Sequence, residues 1–210
     1  MNWREVDLRF RPHGLFVMGT LIDESSTIAL IGAAPTMWQV FTRSMAYQDR
    51  QPDPLDRWSK QIITPIAQEL GAKAHFPSDG PPYPPFIQWA LASHRFWQSP
   101  VGMLVHDMAG LMISLRGALE VHTENQSAGI ETPAPCETCI GQPCRTACPV
   151  DALSAENGYD VAACHAFLNM GDGADCMQNG CKARRACPIS QKFGRDPVQS
   201  AFHMRSFHPK

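Results

Sequence analysis

Cysteine is missing from the first 135 residues of this 210-residue chain, and all eight cysteines lie between Cys136 and Cys187. Long apolar runs are missing as well, because no stretch reaches the ~18 apolar residues that a membrane-spanning helix needs. The chain also lacks a basic excess, since 18 Lys and Arg against 20 Asp and Glu give a net charge of −2. These absences argue against a membrane span and against nucleic acid as a partner.

The first residues, from Met1 to Glu5, contain no apolar segment of the kind found in secretory signals. We therefore expect a cytoplasmic protein, whose thiols stay reduced. Disulfides are a disfavoured explanation for eight cysteines in such a chain.

The spacing of the cysteines predicts two iron–sulfur clusters. A C-x2-C-x4-C run from Cys136 to Cys144 offers three thiolates from one loop, and proline follows both Cys148 and Cys187. In two-cluster ferredoxins the cysteine before proline binds the other cluster. This rule predicts one [4Fe-4S] cluster on Cys136, Cys139, Cys144 and Cys187, and a second on Cys148, Cys164, Cys176 and Cys181.

The spacing departs from the usual bacterial run, because four residues (140–143) separate the second and third cysteines instead of two. The assignment of each cysteine to one cluster or the other is therefore left open, whereas two clusters with four ligands each account for all eight thiols. Two structural zinc sites would have the same stoichiometry. The two Cys-Pro junctions and the interleaved ligand order favour iron over zinc.

Hydrophobic periodicity predicts an α/β domain before the cysteines. Asp53 is the expected N-cap of an amphipathic helix with apolar Leu55, Trp58, Ile62, Ile66 and Leu70, which Pro65 should kink. The other predicted helices are 35–44 and 86–97, and the predicted strands are 15–21, 27–32, 72–76, 102–106 and 111–119.

The chain is therefore assigned to the α+β class, with an N-terminal α/β sheet domain followed by a small loop-rich domain. We expect the α/β domain over residues 1–125, a polar linker over 126–135 and the cluster domain over 136–193. Residues 194–210 form a C-terminal tail, for which a loose, frayed end is favoured over folding back on a cluster.

The cysteine order resembles a known module. With Cys164 in the segment 162–168, between the two Cys-Pro runs, residues 130–193 look like the C-terminal ferredoxin module of epoxyqueuosine reductase, which also occurs in reductive dehalogenases. The resemblance implies the same four-and-four pairing of the cysteines.

The segments 99–117 and 53–56 are similar to stretches of the cobalamin-processing family that contains the human decyanase. That resemblance implies a modified nitroreductase-type α/β fold around cobalamin, placed before a ferredoxin module. This N-terminal half is shorter than that of the reductases, and it has no clear counterpart of their catalytic acid. Asp79 lies near the corresponding place, but in a Pro/Gly-rich loop where acids are common.

Two residues are candidates for corrinoid binding. Arg116 interrupts an apolar strand, and a buried arginine needs a partner for its charge. A bound cofactor or an ion pair with a carboxylate would provide that partner. His106 could approach a cofactor, although capping of the adjacent turn is favoured.

His165, beside Cys164, could donate a hydrogen bond to a cluster or lie exposed. Lys182, Arg184 and Arg185 could offset cluster charge and dock an acidic partner, or form a solvated loop.

The sequence therefore predicts a protein with two [4Fe-4S] clusters that transfers electrons to or from a redox partner protein. The alternative is a cobalamin-dependent reductase in which the clusters reduce a corrinoid bound to the N-terminal domain. A zinc-binding structural module ranks third. Neither catalytic residues nor the oligomeric state follow from the sequence.

Overall fold

The computed structural model describes residues 1–23, 25–122 and 133–209 of the chain. The described helices are α1 (Trp3–Phe10), α2 (Met37–Phe41), α3 (Met45–Gln48), α4 (Pro54–Glu69), α5 (Phe86–Ala92), α6 (Val161–Leu168), α7 (Ala174–Asn179), α8 (Lys182–Ala186), α9 (Pro188–Phe193) and α10 (Pro197–Phe207). The described strands are β1 (Leu15–Asp23), β2 (Ser26–Ala33), β3 (Lys73–His75), β4 (Phe96–Gln98), β5 (Leu104–His106), β6 (Leu115–His122), β7 (Leu153–Ser154) and β8 (Gly158–Tyr159). The mixture of helices and strands agrees with the predicted α+β class.

The chain divides into two compact units. The first comprises Met1–Arg95 and Ser114–Thr132, and the second comprises Phe96–Ile113 and Pro133–Lys210. The segment Phe96–Ile113, which the sequence assigned to the N-terminal domain, thus packs with the cysteine-bearing part of the chain. Most of the predicted linker, residues 126–132, lies outside the described residues.

An antiparallel sheet with strand order β1-β2-β6-β3 forms the centre of the first unit. The strands predicted at 15–21 and 27–32 are confirmed as β1 and β2, which pair antiparallel as a hairpin up to the pair Asp23↔Ser26. Every residue of β2 is buried, which is typical of an apolar strand covered on both faces. The predicted strand at 72–76 is also confirmed, as β3 at the edge of the sheet.

Helix α4 forms where the amphipathic pattern predicts it and buries Leu55, Trp58 and Ile66. One detail of that prediction is wrong. Asp53 makes no side-chain capping bond, and its backbone adopts a left-handed conformation with φ of 50°. Pro65 lies inside the helix, which continues to Glu69.

Two further predictions are wrong around residues 86–119. Helix α5 ends at Ala92, and the next residues turn into β4, which pairs with β5 from Phe96↔His106 to Gln98↔Leu104. The strand predicted over 111–119 begins only at Leu115 as β6. The backbone of Leu111 instead donates its N–H to the hydroxyl of Ser190, at 2.8 Å.

The C-terminal tail is a helix, so the expectation of a frayed end is wrong. The carboxylate of Asp196 accepts the N–H of Val198 at 2.8 Å, and Pro197 occupies the first turn of α10. Both features favour the start of a helix. Ser200 and Ala201 are buried, so packing as well as capping holds the helix in place.

Among the described helices, none combines the length and apolar composition that crossing a membrane would require.

Candidate metal centres

Four cysteines line one pocket in the second unit. The pocket holds about 270 Å³ of space, part of it open to solvent. Its thiol lining consists of the four predicted ligands of the first cluster, Cys136, Cys139, Cys144 and Cys187. The structure therefore brings together a loop and a residue from the far end of the cysteine-bearing stretch, a convergence that we call the first centre.

The segment Phe96–Ile113 supplies the apolar wall of the first centre. Val105 and Leu111 line the pocket and are each 1% exposed. Two hydrogen bonds hold the backbone of Leu111. Its N–H donates to the hydroxyl of Ser190, and its carbonyl accepts from Arg184 at 2.6 Å. Nothing in the amino-acid pattern indicates that this segment forms part of a cysteine site.

Ser99 is a lining residue of this pocket and carries a buried hydroxyl. The residue is 2% exposed, and its hydroxyl oxygen has no hydrogen-bond partner among the described residues. A buried hydroxyl without a partner is costly.

Burial favours the protonated, neutral form of two thiols of the first centre, Cys136 and Cys144. Burial, and then the neighbouring thiols Cys144, Cys187 and Cys139, raise the pKa of Cys136 to about 11. Burial likewise raises the pKa of Cys144, with Cys187 and Cys139 adding to the effect. Metal coordination reverses this preference, because a bound cation deprotonates its thiol ligands.

The other four cysteines form what we call the second centre. Burial raises the pKa of Cys164, and Cys181 and Cys148 add to the increase. Burial also raises the pKa of Cys176, with a contribution from Cys181. These effects connect Cys164 with Cys181 and Cys148, and Cys176 with Cys181. The N–H of Ala152 also points at the sulfur of Cys148, at 3.4 Å.

A stacked group of rings lies beside the second centre. The ring of His165 stacks on Phe207 at 4.6 Å between centroids, and Phe207 stacks on Tyr159 at 6.0 Å. His165 also pairs with His208, whose other ring nitrogen contacts Asn169 at 3.1 Å. His165 is therefore neither exposed nor isolated, and the tail residues Phe207 and His208 are site neighbours that the sequence did not reveal.

No group of three or more His, Cys, Asp or Glu side chains within residues 1–23, 25–122 and 133–209 is arranged to hold a single metal ion.

His106 caps a turn, as favoured from the sequence. Its Nδ1 accepts the backbone N–H groups of Met108 and Ala109, each at 3.1 Å, and its Nε2 lies 3.2 Å from Asp107. The side chain is fully buried, so these contacts account for both ring nitrogens.

Arg116 lies in the first unit, where the described residues compensate the charge of its guanidinium only in part. Its Nη1 is 3.4 Å from Asp56, and its Nε has no partner among the described residues. Burial lowers the pKa of the guanidinium, and Asp56 opposes that shift. A buried nitrogen without an acceptor suits either a bound ligand or a tolerated defect.

Asp79 has a structural role in the first unit. Its carboxylate accepts the N–H of Phe76 at 3.1 Å and binds Lys60 at 2.8 Å. These contacts fasten its loop, and no described feature directs the carboxylate to a substrate.

Comparison with solved structures shows a likeness in fold. The chain matches the crystal structure of a C. elegans B12-trafficking protein, CblC, a homologue of human MMACHC, with a TM-score of 0.50 and 15% sequence identity. The match covers 99% of this chain and 95% of the other. No protein-family model matches the sequence, and no curated protein matches it significantly. At this identity the likeness concerns fold alone, and it confirms the predicted similarity of the N-terminal part to the CblC fold.

Proposed function

We propose that this protein holds two [4Fe-4S] clusters and transfers electrons to or from a redox partner protein in the cytoplasm. The observation that carries the proposal is the convergence of four thiols on one pocket, with four more thiols grouped nearby in the chain. Four thiolates are the donor set that such a cluster requires. Two sets of four use every cysteine.

The spacing of the cysteines favours clusters over single zinc ions. Both kinds of site take four thiolates. Proline follows both Cys148 and Cys187, and the two predicted ligand sets interleave along the chain. Both features are typical of two-cluster ferredoxins.

The chain contributes ligands, burial and hydrogen bonds. The first cluster would be held by Cys136, Cys139, Cys144 and Cys187, and the second by Cys148, Cys164, Cys176 and Cys181. When bound, such clusters supply one-electron transfer over a wide range of potentials. Val105 and Leu111 form a buried apolar wall of the first pocket, and the N–H of Ala152 donates to the sulfur of Cys148. Burial and hydrogen bonds to sulfur are the features by which a protein sets the potential.

Anaerobic reconstitution tests the proposal. We expect about eight irons and about eight acid-labile sulfides per chain, with all thiols protected from alkylation. About four irons with half the thiols alkylated would contradict two clusters. A colourless protein that binds about two zinc ions would support the structural zinc module instead.

A second function rests on the likeness to the C. elegans B12-trafficking protein and on the unpartnered Nε of Arg116. In this alternative the first unit binds a corrinoid and the clusters supply it with electrons, so that the protein is a cobalamin-dependent reductase. Arg116 would contact the corrinoid, while His106 is less suited because both of its ring nitrogens already have partners. Anaerobic titration with cobalamin, followed by its absorption spectrum, separates this alternative from simple electron transfer.

A further inference from the structure

A short β-hairpin lies in the chain between two predicted ligands of the second centre, Cys148 and Cys164. Its strands β7 and β8 pair antiparallel. Beyond the paired residues, the N–H of Asp160 donates to the carbonyl of Ala152 at 2.8 Å, which extends the hairpin towards its base. We call residues 150–161 the β7–β8 hairpin.

Both ends of the β7–β8 hairpin are attached beside the second centre. On the incoming side, the N–H of Ala152 donates to the sulfur of Cys148 at 3.4 Å. On the outgoing side, the carboxylate of Asp160 accepts the N–H of Ala163 at 2.8 Å. Asp160 therefore caps helix α6, which carries Cys164. These contacts fix the hairpin next to the proposed second cluster.

Tyr159 links the hairpin to the ring stack that lies beside the second centre. Its ring stacks on Phe207, which in turn stacks on His165, the neighbour of Cys164. Tyr159 is also 44% exposed. The stack therefore extends from a residue next to a predicted ligand out to the protein surface.

The β7–β8 hairpin exposes more apolar surface than a short hairpin needs. Val150 is 37% exposed and Val161 is 42% exposed, in addition to Tyr159. Single exposed apolar residues are normal, but a group of them rimmed by polar residues marks a site of interaction with another protein. Tyrosine is also enriched at protein–protein interfaces.

The rim of this apolar group is acidic. Asp151, Glu156 and Asp160 all lie on the hairpin and are exposed. The chain has no lysine or arginine between Arg145 and Lys182. A surface of one sign attracts a partner of the opposite sign and speeds their encounter.

The basic residues of helix α8 are engaged within the chain. Asp175 lies 2.5 Å from Arg185 and 3.7 Å from Lys182. Arg184 donates to the carbonyl of Leu111 at 2.6 Å. The exposed carboxylates of the hairpin are therefore better placed to meet a partner than the basic groups of α8.

We propose that the β7–β8 hairpin is the docking surface for the redox partner, and that this partner presents an apolar centre within a basic rim. The inference rests on the proposed function. The partner's basic groups meet Asp151, Glu156 and Asp160, and its apolar centre covers Tyr159 and the two valines. One electron then passes between the second cluster and the partner's redox group, so that one is oxidised as the other is reduced. No bond or proton is transferred.

The probe is cytochrome c, a basic haem protein. Reconstituted protein is reduced with dithionite, freed of excess reductant and mixed with ferric cytochrome c, and the reduction of the haem is followed by stopped-flow absorption. We expect the second-order rate constant to fall steeply as the ionic strength rises from about 0.01 M to about 1 M, because salt screens exposed charges.

The charge variant is Asp151→Asn/Glu156→Gln/Asp160→Asn. Asparagine suits both aspartate positions, because it tolerates the positive φ of Asp151 and caps a helix as Asp160 does. At low salt the variant should react with cytochrome c about tenfold more slowly than wild type. The difference should disappear at high salt. Iron content and the rate with benzoquinone, a small neutral acceptor, are measured in parallel to detect damage to the clusters.

The matched control, Glu5→Gln/Asp53→Asn/Glu69→Gln, changes the net charge equally through exposed acids of the first unit. We expect it to slow the reaction by less than about twofold at low salt. Equal slowing in the two triple variants would show that net charge alone acts and would overturn the proposal. An unaltered rate in the hairpin variant would overturn it as well.

Val161→Ser tests the apolar part. It should slow the reaction about threefold at every ionic strength, because apolar contact is not screened by salt. Val198→Ser is its control, since Val198 is 55% exposed and also lies in the first turn of a helix, α10. Equal rates in the two serine variants would overturn the apolar contact.

The outcome also separates this inference from the proposed function. Wild-type protein that holds two clusters but reacts with cytochrome c at the rate of the hairpin variant rejects the docking surface alone. Wild-type protein that binds no iron rejects both, because a docking surface for electron transfer needs a redox centre behind it.

Discussion

Gly110 and Cys187 meet without room for a side chain between them. A Cβ atom on Gly110 would lie 3.1 Å from the sulfur of Cys187 and 2.5 Å from the backbone nitrogen of Ser190. Gly110 also has φ of 57°, in the left-handed region. The close approach brings the segment Phe96–Ile113 against Cys187, the last thiol of the first centre.

Replacing Gly110 by alanine should therefore damage the first centre. The positive φ alone costs a non-glycine residue about 1–2 kcal/mol, and the overlap with Ser190 adds to it. We expect Gly110→Ala to lower the thermal stability and to lose about four of the eight irons on reconstitution.

Gly141 is the matched control, because it has φ of 72° and a Cβ atom placed on it would meet nothing within 4 Å. Gly141→Ala introduces the same backbone strain without a clash, in a loop of the same centre. Equal iron loss in Gly141→Ala and Gly110→Ala would show that strain, and not contact with Cys187, is responsible.

Ser99→Ala should act differently on the cluster-free and the reconstituted protein. Without a cluster, the variant removes a buried hydroxyl that lacks a partner among the described residues, so the free energy of unfolding should rise by about 1 kcal/mol. If a cluster sulfur gives this hydroxyl an acceptor in the reconstituted protein, the gain should vanish there and the potential of the first cluster should fall.

Ser114 provides the control for this comparison. It is 7% exposed and its hydroxyl also lacks a partner among the described residues, but it belongs to the first unit. Ser114→Ala should stabilise both forms alike. Should Ser99→Ala behave in the same way, its hydroxyl has no role at the cluster.

Cys187→Ala should remove the cluster of Cys136, Cys139 and Cys144, and leave that of its sequence neighbours Cys176 and Cys181. The reason is the crossover of the ligand before proline and the shared pocket of the first four thiols. Magnetic resonance spectra of Cys187→Ala and Cys139→Ala should lack the same signal. Loss of different signals in the two variants would show that the pairing is wrong.

The cysteines of the two centres are evident from the sequence because cysteine spacing is a local property. The run from Cys136 to Cys144 and the two Cys-Pro junctions are visible in the chain itself. The partners that surround them are not. Leu111 donates its N–H to Ser190, which lies 79 positions later in the chain. Apolar periodicity does not encode such a contact, and it predicted a strand over 111–119 instead.

The same limit explains the other errors. The aromatic and basic residues of the tail carry no strong helical pattern, and α10 forms with its cap at Asp196 and its packing around Ala201. The sequence also treated three basic residues of α8 alike. Only the positions of Asp175 and Leu111 distinguish Arg185, which binds a carboxylate, from Arg184, which donates to a carbonyl.

Acid should destabilise the first unit through Glu120. Its hydrogen bond with His75 at 2.7 Å, and then the charge of Lys73, lower the pKa of this carboxyl. A depressed folded-state pKa gives stability above the unfolded-state value, 4.5, that is lost as the pH falls through the folded-state value. Glu120→Gln should cost about 1 kcal/mol at pH 7 in cluster-free protein, and the difference from wild type should shrink below pH 4.5.

Glu69 is the control for that titration, because its pair with Arg9 is exposed on both sides. Exposed pairs contribute little, so Glu69→Gln should change denaturant unfolding hardly at all. A Glu120→Gln deficit that persists unchanged to low pH would point to lost packing instead of lost charge.

Arg116→Ala decides whether the first unit binds a corrinoid. If the Nε of Arg116, which lacks a partner among the described residues, serves a ligand, the variant should weaken cobalamin binding by about 1–3 kcal/mol, the size of a lost charge-assisted hydrogen bond, with the iron content intact. Asp56→Asn is the control, because it removes the 3.4 Å ion pair while leaving the guanidinium in place, and it should keep most of the affinity. Calorimetric titration under anaerobic conditions measures both. A wild-type protein that binds no corrinoid, together with an Arg116→Ala variant that is merely less stable, would make Arg116 a structural residue and leave electron transfer as the remaining function.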